Sequence, residues 1–253
     1  MRPVTEDLLS ALFPSACAAC GAYPERPLER GVCLRCWSDV EYCTQPACPD
    51  CGAAHADPLD WTQDDVPCGA CSLRSPPFDA GLSMGWYRGP LREMLRALKF
   101  RRRPDLAAPL ARRAHAFLRP RRGLLEGLDL IVPVPLPLLR RLHRGYNQSA
   151  ELASHLAARM RLPVRRRALR RRAASPPQAR LPAAGREANA RRSFRARARL
   201  DGQAVLLLDD VWTTGATMRA CARALREAGA GRIVAFSLAR TPADFDGSAE
   251  PSL

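Results

Sequence analysis

Four C-x-x-C pairs, Cys17/Cys20, Cys33/Cys36, Cys48/Cys51 and Cys68/Cys71, crowd the N-terminal third of the chain and restrict what it can become. Two residues between thiolates let both sulfurs of one turn reach a single metal at about 2.3 Å, and two such knuckles complete a tetrahedron. Sequential pairing predicts one zinc site from Cys17, Cys20, Cys33 and Cys36 and a second from Cys48, Cys51, Cys68 and Cys71. Disulfides, an iron–sulfur cluster and redox dithiols are the alternatives, of which disulfides suit a secreted chain. With so few aliphatic residues this segment cannot be held by apolar burial, so metal binding supplies its stability. Four thiolates leave no open coordination position for water, which makes both sites structural. Cys43 stands outside the pattern, either a replacement ligand or a free thiol, and His55 is not needed as a ligand.

From about Phe78 the composition changes. FDAGLSMGWYRG reads as strand and turn, PLREMLRALKF as a helix with Pro90 at its start, and PDLAAPLARRAHAFL as a second helix. LDLIVPVP, residues 128–135, is continuously apolar, the mark of a strand covered on both faces. NQSAELASHLAARM is a predicted helix, VRRRAL a strand, QAVLLLDD a buried strand, TMRACARALREAGA a helix and RIVAFSLAR a final strand. The alternation predicts an α/β fold built on a parallel sheet with helices on both faces. Between Ala168 and Phe194 more than 20 residues lack apolar periodicity; a loop of this length and arginine content reads as a phosphate-facing lid or as a linker.

The chain carries 40 Lys and Arg against 25 Asp and Glu, a formal net charge of +15. Such a field attracts phosphate-rich partners, although a solvated surface from an Arg- and Ala-biased proteome gives the same count. No stretch of about 18 uncharged apolar residues occurs, and the N-terminus has acidic residues where a secretory signal would be basic, so the expectation is a cytoplasmic protein without membrane insertion.

Against that positive excess, VLLLDDVWTTGAT sets Asp209 and Asp210 side by side at the end of a buried strand. Ligands of open α/β sheets bind beyond the carboxyl ends of the strands. There Gly215 permits a turn closed to other residues, and Thr213, Thr214 and Thr217 add hydroxyls to the unpaired amides of a helix start, a cradle for a phosphate monoester. The adjacent carboxylates are suited to neighbouring hydroxyls, such as the 2- and 3-hydroxyls of ribose. A phosphate in the loop and a diol on the acids describe a ribose 5-phosphate. Neither G-x-x-x-x-G-K-[ST] nor G-x-G-x-x-G occurs, so nucleotide hydrolysis and dinucleotide binding lose support.

This loop resembles the phosphoribosyl pyrophosphate motif of type I phosphoribosyltransferases. Together with LKF (98–100), PVPLPLLRRLHRGYNQSAELA (133–153) and RRRAASPPQARLPAAGREANARRSF (170–194), the chain resembles the ComF family, a double zinc ribbon followed by a phosphoribosyltransferase-like domain. On that resemblance the ribbons occupy residues 1–77, the type I phosphoribosyltransferase-like domain 78–242 and a disordered tail 243–253. It further implies that Asp209 and Asp210 hold the ribose hydroxyls and that Thr213, Thr214, Gly215, Ala216 and Thr217 hold the 5-phosphate. Pro133, Val134 and Pro135 fall in the pyrophosphate loop, Arg140, Arg141 and Arg144 neutralise the pyrophosphate, Lys99 joins the substrate site, and magnesium accompanies phosphoribosyl pyrophosphate. Trp212 is bulky for such a loop. The family association is with natural competence and DNA uptake, with single-stranded DNA and an uptake helicase as partners. Two readings follow: phosphoribosyl transfer to an acceptor, or a ligand-sensing or DNA-binding module that keeps the fold without turnover.

Overall fold

The computed structural model describes residues 16–23, 28–44, 47–54, 66–137, 140, 142, 144–171 and 193–242. Its centre is a parallel sheet of four strands in the order β1-β6-β5-β2: β1 (Ala80–Trp86), β2 (Leu130–Pro133), β5 (Ala204–Trp212) and β6 (Arg232–Arg240). The apolar runs dictate this arrangement, because side chains alternate across a strand and both faces are covered. Leu206, Leu208, Val234 and Phe236 join one core, with α3 (Gly89–Phe100), α4 (Ala107–Leu118) and α6 (Gln148–Met160). Val205, Leu207, Ile233 and Ala235 join the other, with α7 (Ala216–Glu227) and the short hairpin of β3 (Leu169–Arg171) and β4 (Phe194–Ala196).

Helix spacing follows the same logic. Leu91, Met94, Leu95 and Leu98 bury one stripe of α3, and Met218, Cys221, Ala222 and Leu225 one stripe of α7. Pro90 occupies the first turn of α3, and the Asn147 side chain accepts a hydrogen bond from the Ser149 amide at 3.1 Å to cap α6.

Two expectations need correction. The strand expected over VRRRAL is reduced to a single parallel bridge between Val164 and Ile131; ladder pairing resumes only at Leu169, antiparallel to β4. Three consecutive arginines offer no apolar face to a sheet, so residues 166–167 turn in solvent. The strand ahead of the acids is also longer than its apolar run: β5 continues to Trp212, with Asp209 in register with Ser237 and Trp212 with Arg240. Of the long arginine-rich segment, residues 172–192 lie outside the described residues.

The cysteine-rich segment is folded onto the sheet. It contributes the short helices α1 (Leu34–Ser38) and α2 (Gly69–Leu73), α5 (Arg122–Leu125) being the remaining short helix. Tyr42 bridges Gly85, the Cys43 amide donates to the Met84 carbonyl at 3.0 Å, and the Trp86 amide donates to Glu41 at 2.9 Å. The outer edge of β1 is thereby covered. Glycine makes the approach possible: a Cβ at Gly81 would lie 2.8 Å from the Cys51 Cα, and one at Gly85 2.7 Å from the Glu41 carbonyl oxygen. Cys17, Cys33 and Cys36 are buried in the core beneath α3, whereas Cys48, Cys51 and Cys71 are buried in the core beneath α7.

Candidate functional site

The eight paired cysteines gather as expected into two groups, Cys17/Cys20/Cys33/Cys36 and Cys48/Cys51/Cys68/Cys71, with all sulfurs of a group within 4.8 Å of one another. A tetrahedron with arms of about 2.3 Å has edges of about 3.8 Å. Cys17 and Cys36 sulfurs are 3.8 Å apart, Cys20 and Cys33 4.0 Å, and Cys51 and Cys68 3.7 Å, far too long for disulfides and right for zinc. Backbone amides point at the sulfurs, Cys33 N–H to Cys17 Sγ at 3.4 Å and Cys68 N–H to Cys48 Sγ at 3.2 Å. Cys43 belongs to neither group; burial pushes its thiol up to about 11. His55 and Trp61 lie outside the described residues.

A cleft opens at the carboxyl ends of β2 and β5. Of the residues assigned to substrate from the sequence, Lys99, Val134, Pro135, Arg140, Arg144, Asp209, Asp210 and Thr217 line it. Also lining it are Phe100, Leu136, Pro137, Gln148 and Arg171. Phe100, Gln148 and Arg171 lay within the family-like stretches, but which of those side chains turns inward depends on packing. Among the described residues, four cations and two carboxylates thus share one concavity.

The carboxylates have different surroundings, since consecutive strand residues point to opposite faces. Asp209 Oδ1 accepts from the Ser149 hydroxyl and from the Asp210 amide, both at 2.9 Å. Burial, reinforced by the Asp210 charge, pushes the Asp209 carboxyl up to about 7, against the opposing pull of those two donors and of Lys99. Asp210 is 5% exposed; its Oδ1 accepts from the Val211 amide at 2.7 Å, and Lys99 Nζ stands 3.5 Å from its Oδ2. Lys99 also lies 5.6 Å from the Tyr87 ring centroid, and the Arg144 guanidinium 4.7 Å from that of Phe100. Burial and the nearby Arg140 lower the Arg171 pKa.

Pro133 is buried at the end of β2, paired with Leu208, and does not reach the cleft. Thr213 and Thr214 are exposed, Gly215 is buried at φ 76°, and Ala216 begins α7; of the loop, only Thr217 lines the cleft itself. The Thr214 hydroxyl accepts from the Ala216 amide at 3.4 Å, and Arg219 donates to the Thr214 carbonyl at 2.7 Å. Trp212 turns away from the cleft, 2% exposed and edge-on to Phe78 at 5.5 Å, and its bulk against the loop is accommodated by Gly215, where a Cβ would lie 2.6 Å from the indole Nε1. Arg141 lies outside the described residues. No histidine lines the cleft among the described residues; Cys221 is fully buried in α7 as a packing residue.

Comparison with known proteins finds two domain families and several relatives. Residues 8–72 match the double zinc ribbon domain and residues 143–246 the phosphoribosyl transferase domain. The DNA utilization protein YhgH of Salmonella typhimurium is 34% identical over 83% of this chain and 91% of its own length. Competence protein F of Haemophilus influenzae is 29% identical over 84% and 91%. A solved structure of glutamine phosphoribosylpyrophosphate amidotransferase from B. subtilis, complexed with ADP and GMP, aligns at TM-score 0.38 and 21% identity over 56% of this chain and 30% of that one.

Proposed function

Since this chain belongs to the ComF family, a double zinc ribbon joined to a phosphoribosyltransferase-type domain, we propose that its cleft binds phosphoribosyl pyrophosphate with magnesium and that it acts in the cytoplasm in DNA uptake and natural transformation. The carrying observation is the mixed lining: Asp209 and Asp210 together with Lys99, Arg140, Arg144 and Arg171. A ligand that satisfies both signs presents hydroxyls to the acids and phosphoryl oxygens to the cations.

The residues suit magnesium. Asp210 Oδ2 is buried without a hydrogen bond, its one charged neighbour among the described residues being Lys99 Nζ at 3.5 Å, and hard carboxylate oxygens are the donors this ion prefers. Asp209 and Asp210 would hold the ion, which would supply neutralisation of the pyrophosphate charge. In a transfer reaction the C1–pyrophosphate bond breaks with its electron pair leaving on pyrophosphate, and a nitrogen nucleophile of the acceptor forms the new bond to C1. Catalysis by this chain would rest on orientation and charge: Arg140 and Arg144 receive the leaving group, the acids fix the pentose, and the loop of 213–217 holds the 5-phosphate.

The test is pyrophosphate release from phosphoribosyl pyrophosphate and magnesium across a panel of nitrogen acceptors. Release that disappears in Asp209→Asn/Asp210→Asn supports transfer. Absence of release with every acceptor, while the variant still supports transformation, removes the enzymatic reading.

A second reading is a ligand-sensing or single-stranded DNA-binding module, with an uptake helicase as partner. Its support is the β3–β4 hairpin, where Arg170 stands directly opposite Arg195 and both are exposed, a like-charge pair that a phosphate backbone would relieve.

A further inference from the structure

One buried cation is not explained by the cleft. Arg240, the last residue of β6, is 7% exposed, and a guanidinium keeps its charge at any physiological pH. Its Nη2 donates to the backbone carbonyl of Cys51, a residue of the second cysteine group, and its Nε donates to the Ser83 hydroxyl at 3.3 Å. Its guanidinium carbon lies 4.3 Å from the ring centroid of Trp212. Trp212 ends β5, and the Thr241 amide donates to its carbonyl at 3.0 Å. Its indole Nε1 lies where only glycine fits: a Cβ on Gly215 would approach it to 2.6 Å. Phe78, edge-on to Trp212, shares a core with Cys48, Cys51 and Cys71.

A continuous run of contacts therefore leads from the second cysteine group through Arg240 and Trp212 to Gly215, in the loop assigned to phosphate. The electrostatics supply a reason for the arginine. A zinc held by four thiolates carries about two net negative charges, and a buried cation beside it offsets them where water cannot. The guanidinium meanwhile covers the indole face, which keeps the ring against Gly215.

We propose that Arg240 and Trp212 are positioning residues through which the second zinc ribbon sets the shape of the 213–217 loop, so that the loop follows metal at Cys48/Cys51/Cys68/Cys71 and not metal at the other group, and anion binding in the cleft weakens when that metal is lost. The first group packs on the opposite face of the sheet with α3 and has no such connection among the described residues. The consequence for ligand affinity rests on the phosphate reading of the loop; the mechanical coupling does not.

The experiment uses full-length, zinc-loaded protein with 5-fluorotryptophan, read by 19F NMR without ligand and then titrated with ribose 5-phosphate. Trp212→Phe assigns the Trp212 resonance. Cys71→Ser and Arg240→Met are expected to shift that resonance and to weaken ribose 5-phosphate binding by about tenfold to a hundredfold, the scale of a misplaced binding group. Cys36→Ser should lose one zinc and leave the Trp212 resonance in place. A cooperative urea unfolding transition shows that each variant is folded, and Cys71→Ser decides the matter if Arg240→Met does not fold. An unmoved Trp212 resonance in Cys71→Ser, or an equal movement in Cys36→Ser, overturns the proposal. A shifted resonance with unchanged affinity upholds the coupling and counts against the phosphate role of the loop.

Discussion

Ser149, buried in the first turn of α6, holds Asp209 from across the sheet end: its hydroxyl donates to Asp209 Oδ1 at 2.9 Å, the oxygen that also accepts the Asp210 amide. Because burial and Asp210 set the Asp209 carboxyl near 7, its ionisation falls within the working pH range. If the carboxylate is the form that accepts ribose hydroxyls, ligand affinity rises with pH through about 7 and levels above it. Ser149→Ala removes a donor to the charged form, so the midpoint of that rise moves upward. Titrating ribose 5-phosphate into both proteins between pH 5.5 and pH 8.5, values spanning roughly 1.5 pH units either side of that midpoint, measures the shift. Coincident profiles would show that Ser149 does not tune Asp209.

The same carboxyl makes a stability prediction of opposite sign. In the unfolded chain it ionises near 3.8, in the folded chain near 7. Between those values the unfolded state has released a proton that the folded state retains, so stability falls as pH rises through this window and is constant above it. Asp209→Asn removes this dependence. Its gain in stability over the parent should be absent at pH 3.5, below both ionisations, and on the order of 1 to 4 kcal/mol at pH 8, while ligand binding is lost. Urea denaturation at the two pH values checks this, and a gain of equal size at both would contradict it.

Lys99 and Asp210 form a largely buried ion pair, with side chains 12% and 7% exposed. Removing one partner of such a pair leaves an uncompensated charge, at a cost of about 3 to 5 kcal/mol. Lys99→Met should therefore destabilise strongly, and Lys99→Met/Asp210→Asn should recover most of the loss. A double-mutant cycle by denaturation measures the coupling; additive effects would mean that water already solvates Asp210.

Seating of the ribbons on β1 depends on an absent side chain. With a Cβ at Gly81 2.8 Å from the Cys51 backbone, Gly81→Ala requires the second ribbon to move. We expect a loss of about 1 to 3 kcal/mol, the usual range for overpacking, and faster release of one zinc to a chelator. Parent protein should hold two zinc ions per chain by elemental analysis, one for each four-cysteine group. Identical release kinetics in parent and variant would argue that the ribbon is not seated there.

What could be read in advance follows from the range of the interactions. The C-x-x-C knuckles are local turns, and the apolar runs ending at Val134, Leu208 and Leu238 carry their own burial pattern, so the zinc groups and the parallel sheet were legible. Asp209, Asp210, Lys99 and Arg144 were legible because they fall in recognisable stretches, and they line the cleft. The strand over VRRRAL failed because apolar Ala168 and Leu169 anchor a hairpin closed by Phe194, a partner far along the chain. Ser149, Gln148 and Arg171 acquire their roles only when α6 and the hairpin meet the strand ends. Arg240 reads as the last residue of a strand; its position between Cys51 and Trp212 requires the ribbon to be folded against β1.

The central claim, that the acids and cations of this cleft receive a phosphorylated pentose, is tested most directly by calorimetric titration of phosphoribosyl pyrophosphate with magnesium at pH 8. The account predicts one site per chain in the parent protein and no measurable binding to folded Asp209→Asn/Asp210→Asn. Equal affinity in the two proteins, or no heat of binding in the parent, would contradict it.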